Sequence, residues 1–312
     1  MTFKRTSLRV SVGLLILTPV LSLSQQPQSV NKVPSGVILV KGAWSSSSDT
    51  TTPVPEGGQV TSTTYDNPYF RLTYPLPREW VQKYEGPPPS DSGYYVLAQL
   101  QPDDMVNGSI HGSLMITAAD LFFSPTGADN ALQLVNFSRS NLQADYKVTR
   151  DPTQITLGGH PFVRFDYVSP VAGLHWYVLA TQVRCHIVQF VFTSRDEKLL
   201  DQLVAGVAGM KLAEQADAPV CIKDYATPEN LVERVDPVFT VRRFNPVPVR
   251  VVIDKEGRVK HTHFLSAFPE QSQAISDALR QWKFKPYLRD GKPVEVETGI
   301  MFGHSPTTRG GA

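Results

Sequence analysis

One stretch constrains this chain more than any other. Between Asp236 and Phe302 the spacing of apolar residues switches from a strand period to a helix period and back. Val247, Val249, Val251 and Ile253 alternate with Pro248, Arg250, Val252 and Asp254, the period of a strand. Asp254-Lys255-Glu256-Gly257 reads as a hairpin turn, with glycine where a left-handed residue is wanted. Val259 to Leu265 returns as the second strand. From Ser272 to Trp282 the spacing becomes helical, with Ala274, Ile275, Ala278, Leu279 and Trp282 on one stripe. Lys285-Pro286 ends the helix, and Asp290-Gly291 makes a tight turn. Val294, Val296, Thr298, Ile300 and Phe302 then alternate with Glu295, Glu297, Gly299 and Met301 as a third strand. The predicted unit is ββαβ, with one helix covering one face of a three-stranded sheet.

Several short pieces of this stretch occur together. They are Val249-Arg250-Val251-Val252-Ile253-Asp254-Lys255-Glu256-Gly257-Arg258-Val259, then Ala274 and Ala278, then Trp282-Lys283-Phe284-Lys285-Pro286, then Gly291-Lys292-Pro293-Val294. In order and spacing they resemble the C-terminal domain of the TonB energy-transducer family, over residues 236–303. The resemblance implies an exported, non-enzymatic protein. It would bind an extended peptide of a partner, such as a TonB-dependent outer-membrane receptor or another periplasmic protein, by adding that peptide as a strand. The docking edge it points to is the third strand: Val294, Glu295, Val296, Glu297, Thr298, Gly299, Ile300 and Met301. Glu295 and Glu297 are expected on the solvent side, where they would also discourage self-pairing. Pro at Glu297 is then expected to abolish binding and spare the fold. Trp282, Phe284 and Pro286 are expected to be core and helix exit. The alternative is a membrane-tethered energy transducer. Such proteins carry a membrane helix with a functional His and a long Pro-rich spacer. Here the first His is His111, a globular stretch precedes the TonB-like unit, and Ala267 stands where the family has Gly.

The N-terminus bears on that choice. Lys4, Arg5 and Arg9 precede the apolar run Val10 to Leu23, which Pro19 interrupts. A membrane-spanning helix needs about 20 apolar residues, so residues 1–24 read as a signal peptide cleaved after Ser24. The protein is then periplasmic; an uncleaved run would instead anchor it at the inner membrane. Residues 25–64 are polar and turn-rich, a flexible leader, although Val37-Ile38-Leu39-Val40 could add a strand to the next domain. Residues 304–312 are a short tail.

Residues 65–212 read as a second α+β domain, an antiparallel sheet carrying helices over Ala128–Leu142 and Asp196–Met210. Phe70-Arg71-Leu72-Thr73-Tyr74-Pro75, with Trp80 close behind, and the order of elements resemble the PsbP-like α/β sandwich. The chain is thus expected to be α+β, with two domains joined by a polar linker at 213–235. Two cysteines, Cys185 and Cys221, remain after the signal. Export to an oxidising compartment predicts a disulfide between them over two free thiols. That bond would pin the linker against the first domain.

Lys plus Arg is 30 and Asp plus Glu 29, a net charge of +1, so nothing in the charge balance calls for nucleic acid. No nucleotide-binding glycine loop, Cys-x-x-Cys or Gly-x-Ser-x-Gly occurs, so no catalytic residues and no cofactor are assigned. His261 and His263 share a strand face, a spacing that can begin a metal site, but no third ligand is evident.

Overall fold

A computed structural model describes residues 37–40, 43–49, 53–84, 93–103, 112–212, 218–240 and 245–303. The segment read as a signal at 1–24, the tail at 304–312, and parts of the segments read as leader and linker lie outside these residues. The chain is α+β, and the described residues belong to one compact unit.

Strands β1 (Val37–Val40), β2 (Ala43–Asp49), β3 (Gln59–Val60), β4 (Thr64–Asn67), β5 (Leu72–Pro75) and β6 (Trp80–Tyr84) come first. They are followed by β7 (Tyr94–Pro102), β8 (Gly112–Asp120), helix α1 (Ala131–Ser140), β9 (Lys147–Leu157) and β10 (His160–Ser169). Next come β11 (Leu174–Val183), β12 (His186–Ser194), α2 (Glu197–Val207) and β13 (Lys211–Leu212). An antiparallel sheet in the order β6-β7-β8-β12-β11-β10-β9 organises this part. The long β-rich run from Trp176 to Phe192 is a hairpin that turns at Arg184 and Cys185.

Alternation within the seven strands builds a core on each face. Leu114, Ile116, Val188, Phe190 and Phe192 point to one side, where Tyr65, Phe70 and Tyr74 of a small β13-β5-β4-β3 sheet and Leu200, Leu203 and Val207 of α2 close over them. Val163, Phe165 and Ile187 point to the other, against Leu134 and Val135 of α1. Both expected helices are present, each shorter than the span the sequence predicts, and each has a side-chain cap. The Asn130 side chain accepts from the Gln133 N–H, and Asp196 accepts from the N–H groups of Lys198 and Leu199.

The C-terminal part comprises β14 (Val220–Cys221), β15 (Leu231–Glu233), β16 (Val247–Ile253), β17 (Val259–Phe264), α3 (Pro269–Leu279), β18 (Lys283–Phe284), β19 (Tyr287–Arg289), β20 (Lys292–Val294) and β21 (Val296–Phe302). The predicted ββαβ unit is present as β16, β17, α3 and β21. Ile275 and Leu279 of α3, with Trp282 and Phe284, pack on Val249, Val251, Ile253, Val296 and Ile300. Gly257 sits in the β16–β17 turn at φ 81°, and a Cβ there would lie 2.0 Å from the Phe284 carbonyl oxygen. The turn therefore requires glycine twice, for its backbone angle and for its closeness to the helix exit.

Three strands, β1, β2 and β14, extend this sheet beyond the expected three. Its order is β1-β2-β17-β16-β21-β14. Residues 37–49, expected in a flexible leader, form a hairpin that pairs Ser47 and Ser48 with Phe264 and His263. The apolar Val37–Val40 thus adds to the C-terminal sheet rather than to the domain that follows it in sequence. On the other flank, β14 comes from the linker and runs parallel to β21.

Candidate functional site

The sequence singled out the outer edge of β21, and the structure places that edge over a buried polar junction. On one face of the C-terminal sheet lie the apolar residues that meet α3. On the opposite face are Arg250, Val252, His261, His263 and Glu297, the positions that strand alternation assigned to solvent. Every residue of β16 is buried. The expectation that Glu297 faces solvent fails: it is 2% exposed.

Elements from the first part of the chain cover this face. Tyr69 arrives on the turn before β5, where Arg71 takes φ 48°. Asp120 ends β8, and Arg184, Cys185 and His186 form the β11–β12 turn. Gly299 stands opposite Arg250 on the neighbouring strand, and its missing side chain makes room for Phe122 and Phe123. A Cβ at Gly299 would approach Phe122 Cβ to 2.6 Å.

Arg250, 3% exposed, is the hub of the junction. Its Nη2 donates to Glu297 Oε1 and to the Tyr69 hydroxyl. Its Nη1 donates to His186 Nε2 at 3.0 Å, and its Nε lies 3.1 Å from Asp120 Oδ2 without the alignment of a hydrogen bond. The Tyr69 hydroxyl in turn donates to Glu297 at 2.9 Å. Arg184 donates to Glu297 Oε2 at 3.0 Å and to the Tyr69 carbonyl, and its guanidinium lies 4.0 Å from the Tyr69 ring centroid. Two guanidinium groups thus face two carboxylates, which balances the charge removed from water.

Environment separates the two carboxylates. Burial pushes Asp120 up to about 6, since the pull of Arg250 and the Phe122 N–H only partly offsets desolvation. Burial also works against ionised Glu297, but Arg250, Arg184 and the Tyr69 hydroxyl together hold it below its ordinary value. Burial, with the neighbouring guanidinium charges, drives His186 well below the usual histidine range. A neutral His186 that accepts at Nε2 carries its proton on Nδ1.

The disulfide closes the junction. Cys185 and Cys221 are bonded, as expected, and the sequence holds no third cysteine. Glu297 Oε2 is 3.6 Å from Cys185 Sγ. Cys221 lies in β14 opposite Glu297. The Val220 N–H donates to the Glu295 carbonyl at 2.8 Å, and the Ile222 N–H to the Glu297 carbonyl at 3.0 Å. Thr298 Oγ1 donates to the Lys223 carbonyl and accepts from the Tyr225 N–H, which carries the cover one residue further.

The edge Val294 to Met301 is therefore not uniformly open. Val294 pairs with Tyr287 in the β19–β20 hairpin. Glu295, half-buried, pairs with Lys260 at 2.8 Å. Glu295 and Glu297 turn their carbonyls to β14, and Val296 and Thr298 face β16. By alternation Gly299 and Met301 direct their N–H and C=O groups to the β14 side. Among the described residues no strand pairs with that side beyond Glu297. Met301 is 47% exposed.

A cavity of about 20 Å3, lined by Tyr69, Arg184, Arg250, His261, His263 and Glu297, holds little more than one water molecule. His263 is buried and pairs with Glu56 at 3.1 Å, so it is not on a solvated face. Among the described residues no group of three or more His, Cys, Asp or Glu could hold a metal ion. Sequence reasoning missed Tyr69, Asp120, Arg184, His186 and Arg250. One signal was available: Arg250 and Glu297 are opposite charges on one sheet face, at diagonal positions of adjacent strands.

Residues 243–303 match the family described as Gram-negative bacterial TonB protein C-terminal. That family is a transport-related, non-enzymatic domain of the Gram-negative envelope that interacts with outer-membrane receptors. No curated protein matches the chain. Among solved structures, the chain is similar to cyanobacterial PsbP (CyanoP) from Synechocystis sp. PCC 6803, at 11% identity and TM-score 0.33, covering 50% of this chain and 96% of that one. It is also similar to LpqN of Mycobacterium tuberculosis, involved in cell envelope biogenesis, at 15% identity and TM-score 0.29, covering 50% and 85%. A protein from Bacteroides thetaiotaomicron VPI-5482 is similar at 10% identity and TM-score 0.31, covering 51% and 52%.

Proposed function

We propose that this is a non-enzymatic protein of the Gram-negative periplasm that binds an extended peptide of a partner by strand addition along the outer side of β21. The observation that carries this reading is β14. A segment of the chain's own linker already lies there as an added parallel strand, so the edge has the geometry to accept one. Beyond β14, Gly299 and Met301 continue the same row of donors and acceptors. Backbone pairing gives such an edge affinity, and the alternating side chains of the peptide give selectivity. The partner class favoured by the family match is an extended segment of an outer-membrane receptor.

Glu297→Pro is unsuitable as a test, because it would remove a buried carboxylate from two guanidinium groups. Met301→Pro is suitable. It removes an N–H from the open side, opposite Pro248, and its side chain is exposed. Extended peptides from outer-membrane receptors should bind the full chain in fluorescence-anisotropy titrations. Met301→Pro should weaken that binding at least tenfold with an unchanged melting temperature. Equal affinity in both proteins would move the binding site away from β21.

A further inference from the structure

We propose that Val220–Ile222 is a resident competitor for the β21 edge, latched there by the Cys185–Cys221 disulfide, and that a dithiol reductant opens the edge to a partner strand. This rests on the reading of β21 as a strand acceptor.

The cover is slight by itself. It consists of two backbone hydrogen bonds from a two-residue strand, followed by the Thr298 side-chain bridge. It is placed by a covalent bond to a fully buried cysteine on the β11–β12 turn. Without that bond the strand would be held against β21 by these hydrogen bonds and by the Ile222 and Tyr225 side chains, which pack in the apolar core beneath α3. A partner strand pairing with Glu295, Glu297, Gly299 and Met301 would span twice the outward-facing residues that β14 covers.

The resident strand also indicates what replaces it. It runs parallel to β21, with Val220 opposite Val296 and Cys221 opposite Glu297. Ile222 packs on the apolar core beneath α3, and alternation places Val220 on the same side. Cys221 points the other way, to Cys185 above Glu297. The matching partner is a parallel extended segment with apolar residues at alternate positions and a small residue between them.

The exchange balances as ordinary thiol–disulfide chemistry. Cys185 is buried and Cys221 half-buried, so a dithiol thiolate attacks Cys221 Sγ. The S–S bond breaks, and its electron pair leaves on Cys185 Sγ, which takes a proton. The second thiol of the reductant then attacks the mixed disulfide. Cys221 leaves as a thiol, and the reductant ends as its own disulfide, two electrons having passed to the protein.

Amide hydrogen exchange on the full chain tests the latch. The Val220 and Ile222 amides should exchange at least tenfold faster after dithiothreitol, or in the Cys185→Ser/Cys221→Ser variant without reductant. Amides of Leu179 and Phe190 in the seven-stranded sheet serve as the control for intact fold. Unchanged rates at Val220 and Ile222 would overturn the latch. A synthetic peptide of residues 218–224, with Ser in place of Cys221, tests the competition. It should shift the Glu295 and Glu297 amide resonances in reduced protein and leave them unshifted in oxidised protein. Where reduction loosens the control amides as well, Ile222→Pro with the disulfide intact removes one of the two donors, and the peptide should then shift the same resonances. Absence of shifts in the opened protein would overturn the competitor role. Receptor peptides that bind at Gly299 and Met301 equally in both redox states would uphold the strand-acceptor reading and overturn the latch alone.

Discussion

Arg250 shows how much one side chain decides here. It is held by Glu297, Tyr69 and His186 and faces Asp120. Removing one partner of a buried ion pair leaves the other charge uncompensated, at a cost of about 3–5 kcal/mol. Arg250→Met is therefore expected to lower unfolding stability by about that amount in urea titrations. Asp120→Asn tests the junction by pH. Asp120 is raised in the fold to about 6 from an unfolded 3.8, so the native state binds the proton more tightly. Its contribution is most favourable below the unfolded value and is lost as pH rises through about 6. His186 and Glu297 are lowered, and their contributions run the other way: they are lost as pH falls. Asparagine mimics the protonated form. Melting temperatures should therefore shift in favour of Asp120→Asn relative to the parent as pH rises from 5 to 7. A difference independent of pH would mean that Asp120 does not titrate in that range. These residues were hidden in the sequence for a physical reason. Arginine at an alternate position of a Val-rich strand has the pattern of a half-solvated strand, and its partners Tyr69, Asp120 and His186 are remote along the chain.

At the scale of elements, much was legible. The period-2 strands and the glycine turn became the elements their spacing predicts, whereas the helix expected over Ser272–Trp282 runs Pro269–Leu279, so Trp282 and Lys285-Pro286 follow it and Lys283–Phe284 forms a short strand between them. Local chemistry determines such features, through caps, turns and amphipathic faces. Of the flanking strands, Val37–Val40 was legible as a strand though not its place in the C-terminal sheet, while β14 is two residues long and β2 is a serine run with no alternation, so neither was legible. Trp282 belongs to the legible part. Its ring packs near Phe284 and Phe302, and its Nε1 donates to the Val235 carbonyl at 2.7 Å. Trp282→Ala is expected to cost about 3–5 kcal/mol, from lost burial and the cavity left behind. A melting temperature within a few degrees of the parent would contradict that placement. The disulfide closes a separation of 36 residues, which corresponds to about 4 kcal/mol in the chain-entropy account. Reduced and oxidised protein should differ by an amount of that order in urea denaturation.

Over the whole molecule, the C-terminal sheet is built from both ends of the described chain. The leader hairpin joins it at β17 and the linker strand at β21, while the junction around Arg250 seals the face away from α3. A three-stranded unit with two free edges has become a six-stranded sheet with little edge left open. While the disulfide holds β14 in place, an added strand therefore begins where β14 ends. Isotope-filtered NMR on labelled full-length protein with an unlabelled receptor peptide observes that contact directly. Cross-strand nuclear Overhauser effects from the peptide to Gly299 and Met301 are the expected result. Effects confined to α3, or to the outer side of β1, would contradict strand addition at β21.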